Sequence, residues 1–143
     1  MSNVAALGLG LNVETTSKLY LKHPVTAEPI VCKDGKPSWI ELRYGESEIG
    51  RKTQRLAMDA NIHRAVRKVT PNSEQIDAQV LSRLAALTVS WRLVNIETGE
   101  EIAAETFPCN EVNARALYKE PSTSWIRKQV DEIVENEAAF FRK

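Results

Sequence analysis

Residues 38–50 read SWIELRYGESEIG, and the hydrophobic period changes inside them. Up to Tyr44 the pattern alternates: Trp39, Glu41 and Arg43 fall on one side of an extended chain, Ile40, Leu42 and Tyr44 on the other. After Gly45 it becomes helical. Ser47 is a candidate N-cap, and Ile49, Leu56, Ala57, Ala60, Ile62, Ala65, Val66 and Val69 recur at helical spacing as far as Thr70–Pro71. A strand that gives way to a helix across a single glycine predicts an α+β fold with its sheet first and its helices after.

Upstream, His23–Pro24, Glu28–Pro29 and Asp34–Gly35–Lys36–Pro37 cut the chain into short pieces. KLYLK (18–22), PIVCK (29–33) and SWIELRY (38–44) read as strand-like runs, and Asp34–Gly35 suits the turn of a hairpin between the last two. Downstream, Asn72 and Gln75 form a capping-box pattern. Ile76, Val80, Leu84, Leu87 and Trp91 then line one face, with Leu81, Thr88 and Leu93 beside it. This helix is expected to run to about Leu93 and to form the centre of the core. A short hairpin closed by Thr98–Gly99, with Val94 and Ile102 in its arms, is the competing reading of 88–106.

Asn110 caps a predicted short helix through Tyr118, which Glu120–Pro121 interrupts. A final helix, capped by Ser122 or Thr123, carries Ile126, Val130, Ile133, Val134, Ala138 and Phe141 as one apolar stripe flanked by Arg127, Lys128, Asp131, Glu132 and Glu135. The expectation is a mostly helical single domain with a small N-terminal antiparallel β-sheet or hairpin. Residues 1–13 are read as a mobile tail, 17–45 as the hairpin region and 46–143 as the helical region.

Charge and motifs narrow the function. Lys plus Arg and Asp plus Glu are 19 each, so no net field favours nucleic acid or an anionic membrane. Arg51, Lys52, Arg55, Arg64, Arg67 and Lys68 give the first helix a basic face, but without the interleaved aromatics of a nucleic-acid platform. The apolar N-terminal segment is far shorter than the ~20 residues of a span and lacks a basic leader pattern. Cys32 and Cys109 stand far apart, outside any CxxC or His-linked spacing, and read as free thiols. His23 and His63 have no ligand spacing with them. Gly8–Gly10 lacks the rest of a dinucleotide fingerprint, and the carboxylates fall in helix starts, a turn and a solvated helix face. No enzyme, cofactor or metal is expected. A protein partner is. Trp125, beside the last stripe, and the adjacent Phe140 and Phe141 are candidates to reach it.

The series LYKEPSTSWIRKQVDEIVENEAAFF (117–141), preceded by WIEL (39–42), LAALTVSW (84–91), Thr106–Phe107 and Asn110, resembles the tail assembly chaperones of long-tailed (siphophage-type) bacteriophages or prophages over about Leu19 to the C-terminus. That resemblance implies a mostly helical, non-catalytic chaperone of the host cell cytoplasm, not retained in the mature virion. Its partners would be the tape measure protein, whose hydrophobic helices it keeps soluble, the major tail tube protein through an extended form, and further copies of itself in an oligomer or spiral. The candidate partner or self-association residues are Trp125, Ile126, Val130, Ile133, Val134, Phe140 and Phe141, with Arg51 and Arg55 on the basic helix. The hairpin-rich stretch TAEPIVCKDGKP (26–37) departs from the family pattern. The alternative reading is a structural virion component, a tail or head-completion protein whose N-terminal strands join a ring.

Overall fold

The structure is a computed structural model that describes residues 7–70, 72–136 and 138–141. Residues 1–6 of the expected tail, and Pro71 as a helix stop, lie outside it. Among the described residues the elements run β1 (Thr16–Tyr20), β2 (Trp39–Arg43), α1 (Glu48–Val66), α2 (Ser73–Leu87), β3 (Thr88–Arg92), α3 (Glu111–Lys119), α4 (Ser124–Val134) and α5 (Ala138–Phe141). The fold is α+β, with a three-stranded antiparallel sheet in the order β1-β2-β3.

β2 is the central strand, and its alternation works as the sequence predicts. Ile40 and Leu42 are fully buried while Trp39, Glu41 and Arg43 are half-exposed. Burying each of these two aliphatic side chains stabilises the fold by about 1.5–3 kcal/mol. On the solvent face Glu41 joins all three strands: its carboxylate accepts from Thr16 Oγ1 of β1 at 3.0 Å and from Ser90 Oγ of β3 at 3.0 Å. Lys18 Nζ lies 4.4 Å from the centre of the Trp39 ring, a cation–π contact on the same face.

The third strand is not the one expected. PIVCK makes only isolated bridges, Lys22 to Pro29 and Val31 to Pro37. Both bridges involve prolines, which have no N–H to donate to a ladder. The Asp34–Gly35 turn does form, with Gly35 at φ 87° and its N–H donating to Cys32 O. The place beside β2 is taken by TVSWR, so the central helix ends at Leu87 rather than near Leu93. Thr88 follows the last helical residue directly, and its hydroxyl donates to Leu84 O at 2.8 Å. Register slips between Glu41 and Leu42, which pair with Ser90 and Thr88 and leave Val89 opposite no residue. Beyond β3 the competing hairpin reading holds: Ile102 N donates to Leu93 O, Val94 bridges Glu101, and Gly99 takes φ 75°.

The helix caps agree with the sequence at three starts. Ser47 accepts from Gly50 N, Asn72 and Gln75 complete a reciprocal capping box, and Asn110 accepts from Asn113 N. The fourth start differs. Thr123 precedes α4 without a side-chain cap because its hydroxyl donates back to Leu117 O at 2.7 Å; Glu120 instead caps the 3-10 turn at Pro121–Thr123. The final helix is also interrupted, at Glu135–Asn136, so the stripe is carried by two helices.

The core lies between the inner face of the sheet and the C-terminal half of α2, α3, α4 and α5. It joins Leu21, Ile40 and Leu42 to Leu84, Leu87, Leu117, Tyr118, Val130 and Phe140. Two polar clamps fix α4. The Gln129 amide accepts from Lys22 N at 3.0 Å and donates to Lys22 O at 2.8 Å, copying a strand's own bonds, and Arg127 reaches Asp77 of α2 at 2.7 Å.

Candidate protein-binding face

α1 forms for clear local reasons, yet it covers almost nothing. Ser47 caps its first turn, Glu48 complements the positive end of the helix dipole, and His63 and Arg64 lie at the other end. It closes in a Schellman motif: Val69 N donates to Arg64 O at 2.8 Å and Lys68 N to Ala65 O at 3.0 Å, with Lys68 in the left-handed region at φ 58°. Of its nineteen residues only Gly50 is buried. Leu56, Met58, Ile62 and Val66 are 59%, 54%, 58% and 78% exposed.

These side chains fall into two rows. Met58, Ile62 and Val66 are spaced i, i+4, i+8 and form a ridge on one side of α1. Thr53, Leu56, Ala57, Ala60 and Arg64 face α2, where they form one wall of a trough of about 460 Å³. Gln75, Ala78, Gln79, Ser82 and Arg83 of α2 make its floor, and Glu111 and Arg115 of α3 the far wall. Gln79 Nε2 donates to Asn61 Oδ1 at 3.1 Å, a polar tie between α1 and α2. On α2 the predicted core stripe is buried only at its C-terminal half, at Leu84 and Leu87; Ile76 and Val80 remain exposed. Helical periodicity identifies such residues as one face but carries no information on whether anything covers it.

The residues singled out from the sequence separate into three places. Ile126, Val130, Val134 and Phe140 are buried in the chain's own core, so in this fold they are packing positions rather than presented surface. Ile133 and Phe141 pack half-buried against that core. Phe140 and Phe141 both meet Tyr44, with ring centroids 5.5 Å and 5.0 Å away, the second edge-on. Trp125 is half-buried and lines a smaller apolar cavity of about 280 Å³ with Ile96, Ile102 and Leu117. Arg51 and Arg55 lie together near Met58 over a shallow depression that also holds Glu14, Glu46 and Glu48; Arg51 pairs with Glu46 at 3.7 Å. The structure does not bring the two arginines to the C-terminal stripe. Trp91, expected on a helix, lies on β3, stacked on Phe107 at 5.3 Å with its indole N–H donating to Phe107 O.

No protein-family model, curated protein or solved structure matches the chain.

Other ionisable groups have local explanations. Cys32 Sγ donates to the Asp34 carboxylate, which, with the Lys36 N–H, holds that carboxyl below its usual range. Burial pushes the Cys109 thiol up to about 11. Burial also raises the Asp131 carboxyl, against the pull of Arg127. Among the described residues no group of three or more His, Cys, Asp or Glu converges as metal ligands, and no helix is long and apolar enough to cross a membrane.

Proposed function

We propose that this chain is a non-catalytic chaperone that holds apolar helical segments of a protein partner, of the class of phage tail assembly chaperones. The observation that carries the reading is the helical arm of α1 and α2. Its outer part keeps Leu56, Met58, Ile62, Val66, Ile76 and Val80 in water while the rest of the chain completes a core without them. Exposed apolar rows on rigid helices, ringed by charge, are the means by which a protein binds amphipathic helices of another. A holdase needs such a surface and no reaction centre, and it stabilises its client by mass action.

On this reading the client is the tape measure protein, the work is done in the host cell cytoplasm, and the chaperone leaves before the virion is complete. Coexpression with the tape measure protein from the same genome tests it. The chain should keep that protein soluble and copurify with it; persistent aggregation of the client in its presence sinks the proposal. A second reading, a virion component, draws on the outer position of β1 in the sheet. It requires the chain to be found in purified particles.

A further inference from the structure

We infer that the trough over α2 receives a helix of a different protein, one that turns small or aliphatic side chains inward and carries carboxylates along both edges. This rests on the chaperone reading and names the chemistry its client helix must have. The shape comes first. α2 packs against both α1 and α3, whereas α1 and α3 barely meet, so a channel is left open above α2. Short side chains line it on two sides, Ala57 and Ala60 in the α1 wall and Ala78 and Ser82 in the α2 floor. Such residues let a further helix approach to about 8–10 Å between axes. From Thr53 to Arg64 the α1 wall is about 16 Å long at 1.5 Å per residue, room for three turns of an incoming helix.

Charge gives the second constraint. Arg64 of α1 and Arg115 of α3 stand on the two opposite walls of this channel, and Arg83 of α2 lies in its floor. The acid among the lining residues, Glu111, already pairs with Arg115 at 3.3 Å. The end of the Arg83 guanidinium lies against Gly45, beside a depression that also holds Glu46 and Glu135. The charge left for an occupant is therefore carried by Arg64 on the α1 wall and Arg115 on the α3 wall, and a carboxylate is the strongest acceptor for either. A second copy of this chain fits poorly, because its amphipathic helix α4 carries no net charge and has already committed Ile126, Val130 and Val134 to its own core.

The test uses the full chain and two fluorescent 20-residue helical peptides that share an Ala/Leu face, one with Glu along its edges and the other with Lys. The Glu peptide should bind at least tenfold more tightly than the Lys peptide. Ala78→Glu, at an exposed floor position, and Arg64→Glu should each weaken it tenfold or more without moving the unfolding midpoint. Equal affinity for the two peptides, binding of neither, or binding indifferent to Ala78→Glu overturns the inference. So does a concentration-dependent dimer that Ala78→Glu abolishes, which would assign the channel to a second copy. In the coexpression assay, Ala78→Glu as effective as the unaltered chain defeats the channel alone, whereas failure of the unaltered chain defeats the chaperone reading.

Discussion

The carbonyl oxygen of Gly45 occupies the space in which a β-carbon on Gly50 would stand. The turn from sheet to helix is thus built around a backbone-to-backbone contact, with Ser47, fully buried, capping α1 from inside it. Gly50→Ala must displace main chain rather than a flexible side chain. It should destabilise the protein by about 1–3 kcal/mol, the usual cost of overpacking, despite alanine's better helix propensity. Urea denaturation measures this; a stability equal to or above that of the unaltered chain would show that the turn opens freely.

Lys68 offers the opposite case. It holds the left-handed position of the Schellman motif that glycine normally fills. Lys68→Gly should therefore leave stability unchanged or raise it by up to about 1 kcal/mol, the strain relieved exceeding the entropy glycine adds to the unfolded chain. A fall in the melting temperature would mean that the lysine side chain itself supports the end of α1.

Tyr118, almost wholly buried, shares a 2.6 Å hydrogen bond with the Thr88 hydroxyl. Tyr118→Phe should cost about 1 kcal/mol, since Thr88 keeps its bond to Leu84 O. Burial raises this phenol above its ordinary value of 10.0. The folded state then holds the proton that the unfolded state releases, so the contribution is complete below pH 10 and declines as pH rises above it. Denaturation at pH 8 and at pH 11 should show a larger alkaline loss for the unaltered chain than for Tyr118→Phe. Equal losses would place the tyrosine in contact with water.

The aromatic clasp of Tyr44 and Phe141 predicts an energetic coupling between β2's end and α5. In a double-mutant cycle with leucine at each position, the pair should show about 0.5–1.5 kcal/mol of interaction. Additive losses would mean that α5 does not rest on Tyr44.

Much of this architecture could be read before folding, and the reasons are local. The alternation of β2, the turn glycine Gly35 and the caps Ser47, Asn72 and Asn110 depend on residues within a few positions of one another. What escaped depended on distant partners. TVSWR continues the apolar rhythm of α2 through Trp91, and only its β-branched run, Thr88 and Val89, hinted at a strand; β2 had to be beside it to settle the matter. The same continuity hid the interruption at Glu135–Asn136, because the spacing of Val134 and Phe141 is helical whether or not the backbone between them is. The open arm was the least legible feature. A row such as Met58, Ile62 and Val66 looks identical in sequence whether it faces a core, a partner or water.

No linker separates α2 from β3, since Leu87 ends one and Thr88 begins the other. A loop would absorb a change of direction, whereas here any tilt of α2 is passed straight to the backbone of β3. Tilting α2 on capture of a client would pull directly on the β2–β3 pairing, already weakened where Val89 is skipped. On the chaperone reading proposed above, faster amide exchange along Trp39–Arg43 in the presence of a client would be the sign of that pull at a distance.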